Sequence, residues 1–184
     1  MNLQNKLLKE VKVIDNHIIK LDHILNHQVN IPLLDEIGKD LAYRFKDSNV
    51  ETILTTETGG IVLATMVAKY LSLDTLVYAK KGRSLNQSDY VYQASVYSYT
   101  RGINFIISVD KQYLKKSNVL LLDDFLATGN AINGLLDICK QADCNVIGLG
   151  VIVNKQFQNN INEDLLIQSI INISKIENNK LIID

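Results

Sequence analysis

The chain has 184 residues, of which 47% are hydrophobic and 21% charged, with a formal net charge of −1. That length supports one compact domain with a sizeable core. The near-neutral charge excludes the electrostatic footprint of a nucleic-acid or anionic-membrane binder, and no apolar run approaches the roughly 20 residues that span a bilayer.

The opening stretch, "MNLQNKLLKEVKVID", lacks the apolar region of a signal peptide, so the chain reads as cytoplasmic. Leu3, Leu7, Leu8, Val11 and Ile14 recur on one face, which predicts a helix over 3–14. His17, His23 and His27 have no accompanying Cys or carboxylate pattern and read as surface or loop histidines. A second helix is predicted over 31–46, with Pro32 at its start, where a missing N–H costs nothing. Then a short apolar strand (50–56) ends in a Gly-containing loop (57–60), and a helix (61–70) follows. "LDTLVYAKKGR" reads as a strand entering a basic loop that carries Lys80, Lys81 and Arg83. Residues 84–93 are polar with little periodicity, and 94–109 read as a hairpin around Arg101-Gly102. Strand 118–123, loop 124–130 and helix 131–142 come next, then a β-branched buried strand over 145–155. The tail holds two candidate strands, near 167–173 and 180–183, with a turn at Asn178-Asn179. Cys139 and Cys144 do not have a common zinc spacing, no second ligand pair follows, and they read as thiols in or near the core.

Strand–helix–strand alternation with continuously apolar strands argues for an α/β fold, a buried and mainly parallel sheet flanked by helices. Ligands of such sheets bind beyond the carboxyl ends of the strands. The loops at 57–60, 80–83 and 123–131 fall there, and so does Lys155. Ala127–Ala131, "ATGNA", is small enough for backbone N–H groups to approach an anion at a helix N-terminus, with the Thr128 hydroxyl beside them. It lacks the Lys of a P-loop, and a plain strand-to-helix turn needing Gly129 for its φ angle would look the same. Asp123 and Asp124 add acceptors for a vicinal diol and favour positive charge developing nearby. "ETGG", Glu57–Gly60, offers a second phosphate seat beside the basic loop. The assembled ligand is a ribose with a phosphate at one end and a diphosphate at the other.

"VLLLDDFLATGNA", four hydrophobics, two acids and a Thr-Gly loop, resembles the signature of type I phosphoribosyltransferases, which bind 5-phosphoribosyl diphosphate (PRPP). "KLDHILNHQVNIPLLDEIG", "QASVYSYT" and "GLGVIVNKQFQ" are similar to the bacterial xanthine-specific branch, and the match runs from about residue 3 to the C-terminus. The resemblance implies one phosphoribosyltransferase domain, with 1–46 and about 155–184 forming a hood over the base. It implies a homodimer that joins PRPP to a purine, with Mg²⁺ carried by PRPP and few direct protein ligands to the metal. Asp123 and Asp124 would hold the ribose hydroxyls and offset an oxocarbenium-like transition state. Ala127, Thr128, Gly129, Asn130 and Ala131 would hold the 5-phosphate. Glu57, Thr58, Gly59 and Gly60 would line the pyrophosphate pocket, where close relatives hold the Glu–small-residue peptide in an unusual conformation. The segment 80–100 would close as a lid carrying Lys80, Lys81, Ser95 and Tyr97.

The base is a finer question. Hypoxanthine-guanine enzymes carry a third acid just before Thr-Gly, and this chain has Ala127 there, which argues against that branch. Adenine enzymes share the "ATG" form, so adenine stays open. By the resemblance, Lys155 reads the purine O6, and its donor-only ammonium opposes a 6-amino group. Asn26 would satisfy the 2-oxo edge of xanthine, and Ile19 and Phe125 would pack at the base. Gly59 departs from the Ser often found there. A PRPP-sensing regulator would need a basic DNA-binding module ahead of the first core strand, and residues 1–49 are not markedly basic.

Overall fold

The computed structural model describes all residues except 1, 15–17, 22–23, 26, 83–89, 99–101, 162–163 and 184. Its centre is an eight-stranded sheet in the order β10-β9-β8-β7-β3-β4-β6-β5. The strands are β3 (Thr52–Thr56), β4 (Val77–Lys81), β5 (Val91–Ser98), β6 (Ile103–Asp110), β7 (Asn118–Leu126), β8 (Asn145–Lys155), β9 (Ile167–Glu177) and β10 (Lys180–Ile183). The run from β9 through β8, β7 and β3 to β4 is parallel. The outer strands β10, β6 and β5 pair antiparallel, which gives the mainly parallel sheet expected from the sequence.

Helices cover both faces because the central strands carry apolar residues on both of their sides, as in LLL of β7 and GLGVIV of β8. On β7, Leu120 and Leu122 enter the core that holds α2 (Ile31–Arg44) and α3 (Gly59–Tyr70). Val119 and Leu121 enter the second core with Ile132, Leu135 and Ile138 of α4 (Asn130–Gln141). This is the period-2 alternation of a strand buried on both faces. Phe45, fully buried, fills the space above β8 that Gly148 and Gly150 leave. A Cβ on Gly148 would lie 2.8 Å from the Phe45 ring, and one on Gly150 would lie 2.6 Å from Leu122.

The N-terminal helix, α1 (Leu3–Glu10), is shorter than the expected 3–14. Val11 is extended at its C-cap, and β1 (Lys12–Ile14) pairs antiparallel with β2 (Ile18–Lys20). The β-branched Val11, Val13 and Ile14 favour the pleated surface over another helical turn. Of the segments expected over the base, α2 belongs to the helix layer and β9 to the main sheet, tied by Arg44 Nη1 donating to the Ser169 carbonyl at 3.0 Å. Three further boundaries move. β7 runs on to Leu126 because it keeps pairing with β8 as far as Leu126↔Asn154. α3 begins at Gly59, two residues early, and β9 continues to Glu177. The β5–β6 hairpin is present, in continuous register from Val91↔Asp110 to Ser98↔Ile103. Asn178 and Asn179 both have positive φ, 50° and 57°, at the expected turn.

Removing the Phe45 ring opens a cavity that the glycine-lined strand cannot fill. Phe45→Ala is expected to cost about 3–5 kcal/mol in denaturant unfolding.

Candidate active site

The carboxyl ends of β3, β4 and β7 enclose a cleft of about 210 Å³. It is lined by Glu57, Thr58 and Gly59 from the β3–α3 turn, Lys81 from β4, Asp123 and Asp124 from β7, and Ala131 from α4. Phe105 and Ile107 of β6 form its apolar wall. Thus three of the sequence-predicted groups, the acidic pair, the Glu-Thr-Gly turn and one lysine of the basic loop, meet in one place.

The two carboxylates are held by their own backbone. Asp123 Oδ1 accepts from the Asp124 N–H at 2.9 Å, and Asp124 Oδ1 accepts from the Phe125 N–H at 3.0 Å. Asp123 is 8% exposed. Burial, with the neighbouring Asp124 charge added, pushes its pKa well above the usual carboxylate range, and Lys81 offsets part of that rise. Gly59 stands against the second acid: a Cβ there would come within 2.6 Å of Asp124 Oδ2. The Glu57–Thr58 peptide is cis. Glu57 Oε1 accepts from the Lys81 N–H at 2.6 Å, so the turn is tied directly to β4.

The Thr-Gly loop turns directly into the N-terminus of α4. Gly129 has φ 84° at the N-cap of α4, so the helix opens on a residue whose lack of a Cβ permits the left-handed turn. The loop is braced from outside. The Asn160 N–H donates to the Thr128 carbonyl at 3.3 Å, and Asn130 Nδ2 donates to the Tyr97 carbonyl at 3.1 Å. Lys155 ends β8, 8% exposed, with its pKa lowered by burial. Phe125, part-buried, pairs with Val153 one strand away, and Ile19 of β2 is buried in the first core. Asn26 lies outside the described residues.

Lys80, Ser95 and Tyr97 are not brought to the cleft. Lys80 precedes Lys81 on β4 and pairs with Ser108 where Lys81 pairs with Ile107, so the two lysines face opposite sides of the sheet. Ser95 and Tyr97 are exposed on β5, whereas their neighbours Ala94 and Val96 pack toward α4. Within the segment 80–100 expected as a lid, 91–98 is the strand β5, and 83–89 and 99–100 lie outside the described residues. Four contributors escaped the sequence reading. Phe105 and Ile107 looked like ordinary hairpin residues, and Asn160 had no motif around it. The polar "TT" ending β3 was a readable signal for Thr56, which also lines the cleft.

The raised pKa of Asp123 means the unliganded fold takes up a proton that the unfolded chain lacks above about pH 4. Stability is therefore lost as pH rises from the unfolded toward the folded pKa. Asp123→Asn is expected to raise the melting temperature of the ligand-free protein at pH 7–8, with the gain vanishing toward pH 4 in thermal scans.

The phosphoribosyl transferase domain model matches residues 23–180. Xanthine phosphoribosyltransferase of Clostridium tetani is 42% identical over 98% of this chain and 97% of that protein. Xanthine phosphoribosyltransferase 1 of Clostridium perfringens is 40% identical over 97% of each. Among solved structures, adenine phosphoribosyltransferase from Thermoanaerobacter pseudethanolicus superposes with a TM-score of 0.75 at 15% identity, covering 92% of this chain and 99% of that one. The Rhodothermus marinus adenine enzyme gives 0.72 at 15% identity, with 93% and 98% covered. At that identity the structures speak to the fold, and they share it over nearly the whole chain. With the family model spanning most of its length and close relatives aligned end to end, this chain belongs to the phosphoribosyltransferase family.

Proposed function

We propose that the chain transfers the 5-phosphoribosyl group of PRPP to xanthine, giving xanthosine monophosphate and pyrophosphate in purine salvage. The observation that carries this reading is the pairing of an acidic couple, Asp123 buried and Asp124 half-buried, with a donor-only lysine at the carboxyl ends of adjacent strands, in a chain about 40% identical to proteins named for that reaction. The bond from ribose C1 to the diphosphate oxygen breaks, and a bond from C1 to a purine nitrogen forms. The electron pair leaves with pyrophosphate, and the base loses its proton.

Each group of the cleft has a part in that step. Asp123 and Asp124 accept the ribose hydroxyls and lower the energy of positive charge on the ring. The Ala127–Ala131 loop, at the N-terminus of α4, holds the 5-phosphate. The N-terminus of α3 and Lys81 receive the diphosphate. Phe105 and Ile107 keep one wall dry, which protects a reactive cation from water. Lys155 donates to the 6-oxo group, and partial burial keeps its ammonium in a low-dielectric setting where that bond counts for more.

Among the described residues no group of three or more His, Cys, Asp or Glu could hold a metal. This donor set fits Mg²⁺ held by phosphate and ribose oxygens, with Asp123 and Asp124 fixing the hydroxyls beside it. Mg²⁺, when bound, neutralises charge on the departing diphosphate. We place the reaction in the cytoplasm; both cysteines are free thiols, the state a reducing compartment maintains. We also propose a homodimer, for which Tyr78, Tyr97 and Ile106 offer exposed apolar surface at the β4–β6–β5 end of the sheet.

Steady-state assays with PRPP and Mg²⁺, offering xanthine, guanine, hypoxanthine and adenine in parallel, test the proposal. The highest kcat/KM is expected with xanthine, and Lys155→Ala is expected to lower kcat/KM for xanthine by about 10- to 100-fold through loss of a charge-assisted hydrogen bond. Preference for adenine would sink the role given to Lys155. A separate variant probes the close approach at Gly59: Gly59→Ala improves helix propensity, so the melting temperature holds. The displaced Asp124 carboxylate is expected to lower kcat about 10- to 100-fold.

A further inference from the structure

Thr55 stands next to the last residue of β3 and is fully buried. Among the described residues its Oγ1 is the buried side-chain polar atom without a hydrogen-bond partner. An orphaned buried hydroxyl lowers stability, and a valine would fill nearly the same volume without that cost. The position of the hydroxyl explains what it can do. A Cβ built on Gly60 would meet Thr55 Oγ1 at 2.1 Å and Asp123 Oδ1 at 3.3 Å. Both oxygens therefore lie against Gly60, with the Thr55 hydroxyl filling the space a side chain there would take. One is a donor without an acceptor. The other belongs to the carboxylate that must be charged when the ribose ring becomes cationic.

Resting on the phosphoribosyl transfer proposed above, we infer that Thr55 is a positioning residue whose hydroxyl turns onto the Asp123 carboxylate when substrate is bound, fixing the orientation in which it meets the ribose hydroxyl. The ligand-free carboxyl is already held on one side by the Asp124 N–H. A second donor from β3 would fix its plane, which a single hydrogen bond does not. Gly60 serves the same arrangement by leaving room for the hydroxyl to rotate. The contact acts through Asp123, so Thr55 itself touches no substrate.

The test compares wild type, Thr55→Val, Thr55→Ala and Thr55→Ser in thermal unfolding and in steady-state assays with PRPP, Mg²⁺ and xanthine. The valine variant is expected to melt at or above the wild-type temperature, with kcat reduced about tenfold, the scale of one lost hydrogen bond to a charged group. KM for xanthine stays unchanged, and the serine variant recovers kcat. Should valine prove too bulky beside Gly60, alanine removes the hydroxyl without adding a methyl and carries the same expectation for kcat. Wild-type kcat in a folded valine or alanine variant overturns the inference, and so does a loss of kcat that serine fails to restore. Absence of PRPP-dependent turnover in the wild type overturns the functional reading and this inference with it.

Discussion

Two carboxylates side by side at the end of a buried central strand are the constraint around which the rest of this molecule is arranged. β7 lies between β3 and β8 with helices on both faces, so Asp123 is largely removed from water and meets solvent only through the cleft it lines. Mutual repulsion and desolvation both oppose the arrangement. The chain offsets part of that cost locally, through backbone N–H groups of the next residue in each case. It offsets more through Lys81, which the Glu57 hydrogen bond holds at the end of β4. What is left uncompensated shows in the ligand-free fold as the raised pKa of Asp123; in the reaction proposed above, positive charge on the ribose ring would meet the same demand.

The neighbouring elements are shaped by that demand. α3 starts with Gly59 and Gly60 in places where any side chain would collide with Asp124 or with Thr55 and Asp123. The glycines bring a helix N-terminus, with its positive dipole end, close to the acids. α4 does the same from the other side through Gly129. Two helix ends and one acidic strand end thus converge on a space whose remaining wall is apolar. Such a site is organised before the ligand arrives, so little reorganisation is left to the transition state.

Much of this was legible in the sequence because it depends on short-range chemistry. "VLLLDDFLATGNA" carries a buried strand, its charged end and a helix-capping glycine in one reading, and the structure keeps all three. The apolar periodicity of 31–46 and 145–155 gave elements within two residues of their observed ends. The failures have equally definite causes. At Val11–Ile14 an apolar pattern compatible with a helix was claimed by β-branched residues pairing with Ile18–Lys20, a tertiary preference that no local count contains. At Lys80, Ser95 and Tyr97 the sequence announced polar groups near a basic loop but not the strand register that turns them to the other face of the sheet. Phe105 and Ile107 reach the cleft only because β6 pairs with β4, a long-range contact invisible to spacing.

The turn after β8 links two parts of the site that are far apart on a nucleotide. Gln158 and Asn159 donate N–H to the Lys155 carbonyl, closing the chain into a tight turn. The next residue, Asn160, donates its N–H to the Thr128 carbonyl, and Ile161 lies under Gly129, 2.7 Å from where a Cβ would be. The lysine assigned to the base and the loop assigned to the 5-phosphate are therefore spaced by one short, hydrogen-bonded stretch of chain. A residue inserted into or deleted from that stretch would therefore shift the end of β8 and the Thr-Gly loop relative to one another.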